Sequence, residues 1–220
     1  MNTILITGAN RGIGYELCRQ LQERGDEVIA TCRKSSDEIE GLGCRVLSGI
    51  DVTKDEDLVT LKQQLGEQKL DCLINNAGIY SPSGLTDLDF DMIRQQFEVN
   101  SIGPLRVTQA LLPRLDAGSK LAVVTSMMGS MTDNESGGHY GYRMSKAAVN
   151  AAFVSLARDL AARKISVAIL HPGYVKTRMT DWNGNLSPEQ SAAGLISILD
   201  KLTLQESGSF WHTNGQILPW

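Results

Sequence analysis

A glycine-rich turn near the start of the chain constrains the fold more than any other feature of the sequence. The apolar residues 4–6 lead into a turn formed by residues 8–14, and apolar side chains then recur at Ile13, Leu17 and Leu21. A strand that passes through such a turn into a helix directs backbone N–H groups and the positive end of the helix dipole at one point. This arrangement predicts a pyrophosphate site and therefore a dinucleotide ligand.

The three glycines of the turn have separate roles in this interpretation. Gly8 allows the tight turn, Gly12 lets the backbone approach the phosphates, and Gly14 lets the helix pack close to the strand. A glycine turn between a strand and a helix also occurs in α/β proteins that bind no nucleotide, so later residues must support the motif. The turn residues expected to contact the ligand are Gly8, Asn10, Arg11, Gly12, Ile13 and Gly14.

Strand-like segments recur along the whole chain. Apolar patterns predict strands at residues 27–32, 44–47, 70–74, 120–126 and 165–170, with a final edge strand over 210–220. Helical patterns lie between most of them, and this alternation is typical of a parallel sheet. We therefore expect an α/β fold with a doubly wound parallel sheet of about seven strands and helices on both faces.

Short sequence signals predict where several helices begin. Three pairs match the capping-box spacing, in which a hydroxyl residue is followed three positions later by Glu or Gln. A longer helical region over residues 90–115 is interrupted at 103–104, where a proline removes a backbone hydrogen bond and predicts a kink. The three capping-box pairs are Ser35 with Glu38, Thr53 with Glu56, and Ser187 with Gln190.

Size and composition limit the classes of protein to which the chain can belong. A chain of 220 residues, 42% of them hydrophobic, fits one domain with a substantial core, which we expect to cover residues 1–220. The net charge of −4 argues against a nucleic-acid partner. No segment has the pattern of a membrane span or a secretory signal, so we expect a cytoplasmic protein. No metal site or disulfide is predicted from the four isolated cysteines, Cys18, Cys32, Cys44 and Cys72.

The residues after the second predicted strand indicate which dinucleotide is bound. In dinucleotide folds an acidic residue here binds the free 2′-hydroxyl of the adenosine ribose, whereas an arginine accommodates a 2′-phosphate. This chain has Arg33 and Lys34 at that place, and Arg11 in the glycine turn is expected to point to the same corner. Two basic residues at the phosphate position favour NADP(H) over NAD(H).

A second motif, Asn75-Asn76-Ala77-Gly78, ends the fourth predicted strand. Taken alone it could be an ordinary turn, because Asn and Gly are favoured in turns. Together with T-G-x-x-x-G-I-G, however, N-N-A-G resembles the short-chain dehydrogenase/reductase family. The resemblance implies a Rossmann-type fold in which Asn76, Ala77 and Gly78 line the cofactor side of the central strand. It also implies that Asp51 and Val52 flank the adenine.

The second half of the chain resembles the catalytic signature of the same family. Ser126 ends the fifth predicted strand, and Tyr142 and Lys146 form Y-x-x-x-K, one helical turn apart on a shared face. The resemblance implies that these three residues are catalytic, that Tyr142 and Lys146 also contact the cofactor, and that the kinked backbone at Asn100 holds a water leading to the lysine. Residues 172–177 also match the family, which implies cofactor contacts by Pro172, Gly173, Val175 and Thr177.

Two features depart from the commonest family pattern. The loop between Ser126 and Tyr142 is a few residues longer than usual, and Tyr140 is a decoy because the residue four positions later is methionine. We expect Met128 and His139 near the substrate mouth and a structural role for His171. A short lid over residues 178–186, the long loop and the aromatic tail together resemble the small C-factor-like branch of the family.

The signature residues predict carbonyl reduction. Reduction needs a hydride donor, a proton donor and a hydrogen bond to the carbonyl oxygen. NADPH, Tyr142 and Ser126 would supply them for a small aldehyde or ketone, and Lys146 is expected to lower the pKa of the tyrosine. One alternative is a non-catalytic NADP(H)-sensing or signalling protein, and another is an isomerase or dehydratase. The helices over 105–115 and 147–162 could form a dimer or tetramer.

Overall fold

The computed structural model describes all 220 residues and contains one sheet of seven parallel strands. The strands run in the order β3-β2-β1-β4-β5-β6-β7, so the chain moves outward from β1 to β3 and then returns to the other side of β1. The expected fold class is confirmed. The strands are β1 (Thr3–Thr7), β2 (Glu27–Cys32), β3 (Arg45–Ser48), β4 (Leu70–Asn75), β5 (Leu115–Val124), β6 (Ser166–His171) and β7 (Phe210–His212).

Helices cover both faces of the sheet, and each face has its own apolar core. One core contains 23 buried residues, including Leu61, Val107 and Phe153, and the other contains 20, including Leu17 and Leu195. The α-helices are α1 (Gly12–Glu23), α2 (Asp37–Glu40), α3 (Asp55–Leu65), α4 (Phe90–Phe97), α5 (Gly103–Leu111), α6 (Tyr140–Asp159) and α7 (Pro188–Lys201). No helix combines the length and apolar composition needed to cross a bilayer.

The return of the chain to β1 determines where a ligand can bind. In open parallel sheets, ligands bind beyond the carboxyl ends of the strands at the point where the strand order reverses. Here that point lies between β1 and β4, which pair in parallel from Ile4 with Cys72 to Ile6 with Ile74. The glycine turn follows β1 and the N-N-A-G motif follows β4, so the fold brings the first two sequence motifs together.

The helix starts show the limits of local sequence signals. At α7 the predicted capping box is present, because the Ser187 hydroxyl accepts from the Gln190 N–H and the Gln190 side chain accepts from the Ser187 N–H. The predictions at Ser35 and Thr53 are wrong. Ser36 caps α2, and the hydroxyl of Thr53 donates to Asp51 at 2.8 Å while α3 begins without a side-chain cap.

The long helical region breaks in a different way from the predicted kink at 103–104. A π-helical segment, Glu98–Ile102, separates α4 from α5, and the N–H of Gly103 bonds to the carbonyl of Glu98. Asn100 lies inside this segment and is buried. A π-helical turn holds one residue more than an α-helical turn, and such turns are frequent at functional sites.

The final segment is less regular than the predicted strand over residues 210–220. Only Phe210–His212 pair with β6; the chain then turns, and Trp211 forms an isolated antiparallel bridge with Ile217. The indole of Trp220 stacks on Phe210 with ring centroids 5.4 Å apart. The tail therefore folds back over the last strand instead of extending it.

Candidate active site

Thr7 joins the ends of the two central strands. Its hydroxyl oxygen accepts from the backbone N–H groups of Asn76 and Ala77 at 3.0 and 3.1 Å. In the opposite direction, the side-chain amide of Asn76 donates to the carbonyls of Thr7 and Gly8. These four bonds hold the glycine turn against the N-N-A-G segment. Sequence analysis included Thr7 only as the first residue of T-G-x-x-x-G-I-G and gave it no role, although a threonine at the end of an apolar strand is the signal that could have identified it.

The glycines of the turn are required by close contacts and by backbone conformation. Gly8 has φ +65°, and a Cβ there would lie 2.8 Å from the Cα of Ala77. A Cβ on Gly14 would overlap the carbonyl oxygen of Gly8, so the helix approaches the turn as closely as predicted. Gly12, at φ +56°, faces the methyl group of Thr177. The later motif at residues 172–177 thus lies over the first turn.

The first turn of α1 is suited to bind an anion. Its N-cap residue Arg11 makes no side-chain cap, and the turn contains no acidic residue. The first N–H groups of a helix have no partner within the helix, and the helix dipole is positive at this end. The geometry therefore fits a pyrophosphate at the place the sequence predicted.

The residues beyond β2 surround the expected adenosine end of the site. The Asn10 amide donates to the Lys34 carbonyl at 3.0 Å, which links the glycine turn to the basic segment. Arg33 is largely exposed, with its guanidinium 4.0 Å from the Asp51 carboxylate. Burial tends to raise the pKa of Asp51, but hydrogen bonds from Thr53 and the charge of Arg33 outweigh it and lower this pKa. Val52 is buried against Gly103.

Helix α6 places Tyr142 and Lys146 on one buried face. The ammonium nitrogen of Lys146 lies 5.6 Å from the centroid of the Tyr142 ring and donates to the carbonyl of Val124 at 3.0 Å. Burial lowers the pKa of Lys146 to about 8. It also raises the pKa of Tyr142 to about 12, although the hydroxyl of Ser126 acts in the opposite direction. In this structure the pKa of Tyr142 therefore lies above its ordinary value, opposite to the direction expected from Lys146, because burial dominates.

Asn100 connects the π-helical segment to the predicted catalytic residues. Its side-chain oxygen accepts from the Ile79 N–H, and its amide donates to the Ile79 carbonyl and to the Ser145 hydroxyl. The Ser145 hydroxyl in turn donates to the carbonyl of Tyr142. A Cβ added at Gly78 would lie 3.3 Å from Asn100 Oδ1 and 3.7 Å from Lys146 Nζ, so Gly78 leaves room between these groups.

Ser126 and His171 organise the turn beside Tyr142. The Ser126 hydroxyl accepts from the Met128 N–H at 3.1 Å, and His171 Nδ1 accepts from the Met127 N–H at 3.1 Å. Burial, followed by the nearby His212, lowers the pKa of His171 to about 3. A neutral ring that accepts a backbone hydrogen bond fits the structural role expected for His171.

The substrate mouth contains one aromatic residue that the sequence analysis did not select. The Tyr80 ring meets Tyr142 nearly at right angles, with centroids 5.0 Å apart, and its hydroxyl lies 3.0 Å from His139 Nδ1. His139 therefore lies next to the ring that meets Tyr142. The decoy Tyr140 is partly exposed at the start of α6.

The segment that closes the other side of the site is held at both ends. The Pro172 carbonyl accepts from the Ser191 hydroxyl at 2.7 Å, and Gly173, at φ +84°, leaves no space for a side chain beside Leu186. Val175 is buried and pairs with Leu186 as an isolated bridge. Beyond it lies a short 3₁₀ turn, Arg178–Thr180, and the largely exposed Trp182.

Comparison with known proteins agrees with this geometry. The sequence profile described as short chain dehydrogenase matches residues 2–185. A 1-hydroxy-2-glutathionyl-2-methyl-3-butene dehydrogenase of Rhodococcus sp. (strain AD45) is 43% identical over 226 residues, which cover 100% of both chains. The C-signal protein of Myxococcus xanthus is 42% identical over 154 residues, or 69% of this chain and 93% of that protein.

Solved structures show the same fold. A carbonyl reductase from Pseudomonas aeruginosa PAO1 in complex with NADP superimposes with a TM-score of 0.86 at 34% sequence identity, over 100% of both chains. Its similarity to this chain, the profile match and the two relatives all lead to one assignment. The chain belongs to the short-chain dehydrogenase/reductase family of oxidoreductases and resembles its C-factor-like branch.

Proposed function

We propose that this protein is an NADPH-dependent carbonyl reductase. One observation carries the proposal: Tyr142, Ser126 and Lys146, which are distant in sequence, converge at the carboxyl edge of the sheet beside the two glycine motifs. A phenol with a pKa of about 12 holds its proton throughout the neutral range. It is therefore ready to donate a proton to a carbonyl oxygen, which reduction requires.

The choice of NADP(H) is supported by charge. Arg33 and Arg11 are both exposed at the adenosine end, where a guanidinium pairs well with a phosphate. The similar carbonyl reductase from Pseudomonas aeruginosa was solved with NADP. When bound, the nicotinamide supplies the hydride. We assign the contacts of the whole dinucleotide to the glycine turn, residues 76–78 and residues 172–177.

Each residue of the convergent group has a separate task in the proposed mechanism. The Ser126 hydroxyl donates a hydrogen bond that holds the substrate carbonyl, and Tyr142 donates the proton to its oxygen. The ammonium group of Lys146 stabilises negative charge on the phenol after the proton has left. Asn100 fixes the backbone at residue 79 and the side chain of Ser145, and so positions Tyr142 from behind.

The substrate we propose is a small aldehyde or ketone. The lid over residues 178–186 is short, and its exposed side chains, including Trp182, leave the mouth open. We also infer a cytoplasmic location, which fits the four free cysteines, since disulfides are rare in a reducing compartment. A dimer or tetramer formed through the exposed faces of α5 and α6 stays a prediction.

A signalling protein that only binds NADP(H) is the second candidate, and the similarity to the C-signal protein favours it. Burial of Lys146 argues for catalysis, however. A buried lysine whose pKa has fallen to about 8 destabilises the folded state at neutral pH, because the unfolded chain keeps the proton more readily. A protein that only bound NADP(H) could use Lys146 as a cofactor contact, but it would have no need of the proton donor Tyr142 beside it.

The decisive experiment measures NADPH oxidation with a panel of aldehydes and ketones. We expect turnover by the native protein and a loss of about 1,000-fold in kcat for Tyr142→Phe, with the affinity for NADPH retained. Tyr140→Phe, in the first turn of the same helix α6 and without a partner in the site, is the matched control and should keep full activity. Full turnover by Tyr142→Phe would refute the mechanism. NADPH binding without turnover of any substrate would favour the signalling candidate.

A further inference from the structure

Tyr80, at the mouth of the site, is held by hydrogen bonds before it, after it and at the tip of its side chain. The residue before it, Ile79, is bonded through both its N–H and its carbonyl to the Asn100 side chain. The residue after it, Ser81, donates its N–H to the Gln96 side chain at 3.0 Å. The Tyr80 hydroxyl is bonded to His139. The backbone on both sides and the tip of the side chain are thus fixed, so the ring is preorganised.

His139, which holds the tip of Tyr80, has an unfavourable backbone conformation. Its φ is +53°, in the left-handed region, and it follows Gly137 and Gly138 at +60° and +62°. A residue with a Cβ is rarely found there, and such strain persists where surrounding contacts enforce it, often at functional sites. Here the His139 N–H donates to the Ser83 carbonyl at 2.7 Å, and its carbonyl accepts the first hydrogen bond of α6, from Arg143.

The Tyr80 ring contacts Tyr142, the predicted proton donor. Its centroid lies 5.0 Å from that of Tyr142 with an interplanar angle of 86°, a favourable edge-to-face geometry. The ammonium group of Lys146 lies 5.6 Å from the centroid of the Tyr142 ring. The Tyr142 ring is therefore confined by Tyr80, Lys146 and the surrounding core, and its hydroxyl is kept near Ser126.

We propose that Tyr80, locked by its hydrogen bond to His139, is a positioning residue for Tyr142 and fixes the direction in which the phenol donates its proton. The inference rests on the proposed carbonyl reduction. Proton transfer needs donor and acceptor within hydrogen-bond reach and in line, so a loosened ring lowers kcat more than it changes substrate binding. Tyr80 and His139 are 59 positions apart and belong to none of the motifs described above.

The hydrogen bond and the ring contact are tested by separate variants. Tyr80→Phe keeps the ring and removes the hydroxyl, and it should lower kcat about 3- to 10-fold with KM and NADPH affinity unchanged. His139→Gly suits the left-handed backbone and removes the imidazole, and it should give the same loss. Tyr80→Ala removes the ring as well and should lower kcat by about 30-fold or more.

A double-mutant cycle separates positioning from general damage to the fold. If the two side chains act through one bond, Tyr80→Phe combined with His139→Gly should be no slower than either single variant. His139→Asn tolerates the same backbone and offers an amide, so it should recover part of the lost activity. Tyr140→Phe is the control and should match the native protein.

The outcomes that would overturn the proposal are distinct from failure of the proposed function. Unchanged kcat in Tyr80→Phe, multiplicative losses in the double variant, or an equal loss of NADPH affinity would each refute the positioning role. Should the native protein reduce no carbonyl compound, the proposed function fails, and the ring can still be observed by NMR of 13C-labelled tyrosine. Tyr80→Phe should then increase motion of the Tyr142 ring, and an unchanged spectrum for that ring would refute positioning.

Discussion

The helices α1 and α7 pack on the same face of the sheet but begin in opposite ways. At α7, Ser187 and Gln190 satisfy each other's backbone N–H groups, and Pro188 occupies the first turn. At α1, the N-cap residue is Arg11, whose side chain makes no capping hydrogen bond. A helix start that is satisfied by its own residues contributes to stability, whereas one left open has N–H groups available for an anion.

The largest expected effect comes from adding one methyl group to either helix. Gly14→Ala on α1 would overlap the Gly8 carbonyl, and Gly194→Ala on α7 would overlap the Thr213 carbonyl. Both should lower the free energy of unfolding by about 1–3 kcal/mol through overpacking. Only Gly14→Ala should also reduce NADPH affinity, by about 100-fold, because it displaces the turn that binds the phosphates. Chemical denaturation and fluorescence titration measure the two quantities. If Gly14→Ala and Gly194→Ala lost NADPH affinity equally, the start of α1 would not be the phosphate site.

A change of charge at Arg33 tests whether the site prefers NADPH or NADH. Arg33→Asp should weaken NADPH binding by about 100-fold and NADH binding by less than about 3-fold, because a carboxylate repels the 2′-phosphate and can accept from a free 2′-hydroxyl. Lys201→Asp makes the same change of charge on α7 and should affect neither nucleotide. Isothermal titration with both nucleotides gives the comparison, and equal weakening of NADPH and NADH would show that Arg33 does not bind the phosphate.

Removal of the Arg11 side chain should separate binding from folding. The Arg11 side chain caps no helix and is exposed, so Arg11→Ala should leave the free energy of unfolding within about 0.5 kcal/mol of the native value. Loss of one charge near the phosphates should weaken NADPH binding by about 5- to 10-fold at low salt and less at high salt. An NADPH affinity that does not change at low salt would contradict this prediction.

The smallest expected effect is at the start of α7, where a substitution should change stability and not NADPH binding. Ser187→Ala removes the hydroxyl that accepts from the Gln190 N–H and should lower the free energy of unfolding by about 1 kcal/mol. It should leave NADPH affinity unchanged, since the cap lies on a helix that is satisfied without a ligand. Thermal melts without and with NADPH measure the stability and the stabilisation by NADPH. If NADPH stabilised Ser187→Ala less than the native protein, the start of α7 would also contribute to nucleotide binding.

The sequence predicted the fold and the arrangement of the site because both depend on local patterns at strand ends. The apolar runs, the glycine turn and N-N-A-G each lie within a few residues, and parallel strands bring their carboxyl ends to one edge. The capping prediction was correct at Ser187, where only one residue could serve as the N-cap. It was wrong at Ser35, because the adjacent Ser36 occupies the cap, and at Thr53, because Asp51 accepts from its hydroxyl.

What the sequence could not predict depends on contacts between distant residues. The bond between Tyr80 and His139 joins segments with no pattern in common, and the π-helical turn is stabilised by Asn100 reaching back to Ile79. The pKa of Tyr142 was predicted in the wrong direction because the sequence shows its charged neighbour but not the extent of its burial. Burial is a property of the assembled core, and it has the larger effect here.

The π-helical turn at Glu98–Ile102 makes the site sensitive to deletion more than to substitution. A single residue lost from this segment would allow one regular helix to run from α4 into α5. Because each helical residue turns the chain by about 100°, the same loss would rotate Asn100 or everything after it away from its partners. A shortened chain of this kind would lose the support behind Tyr142, and a rotated α5 would also turn Val107 and Leu111 out of the core.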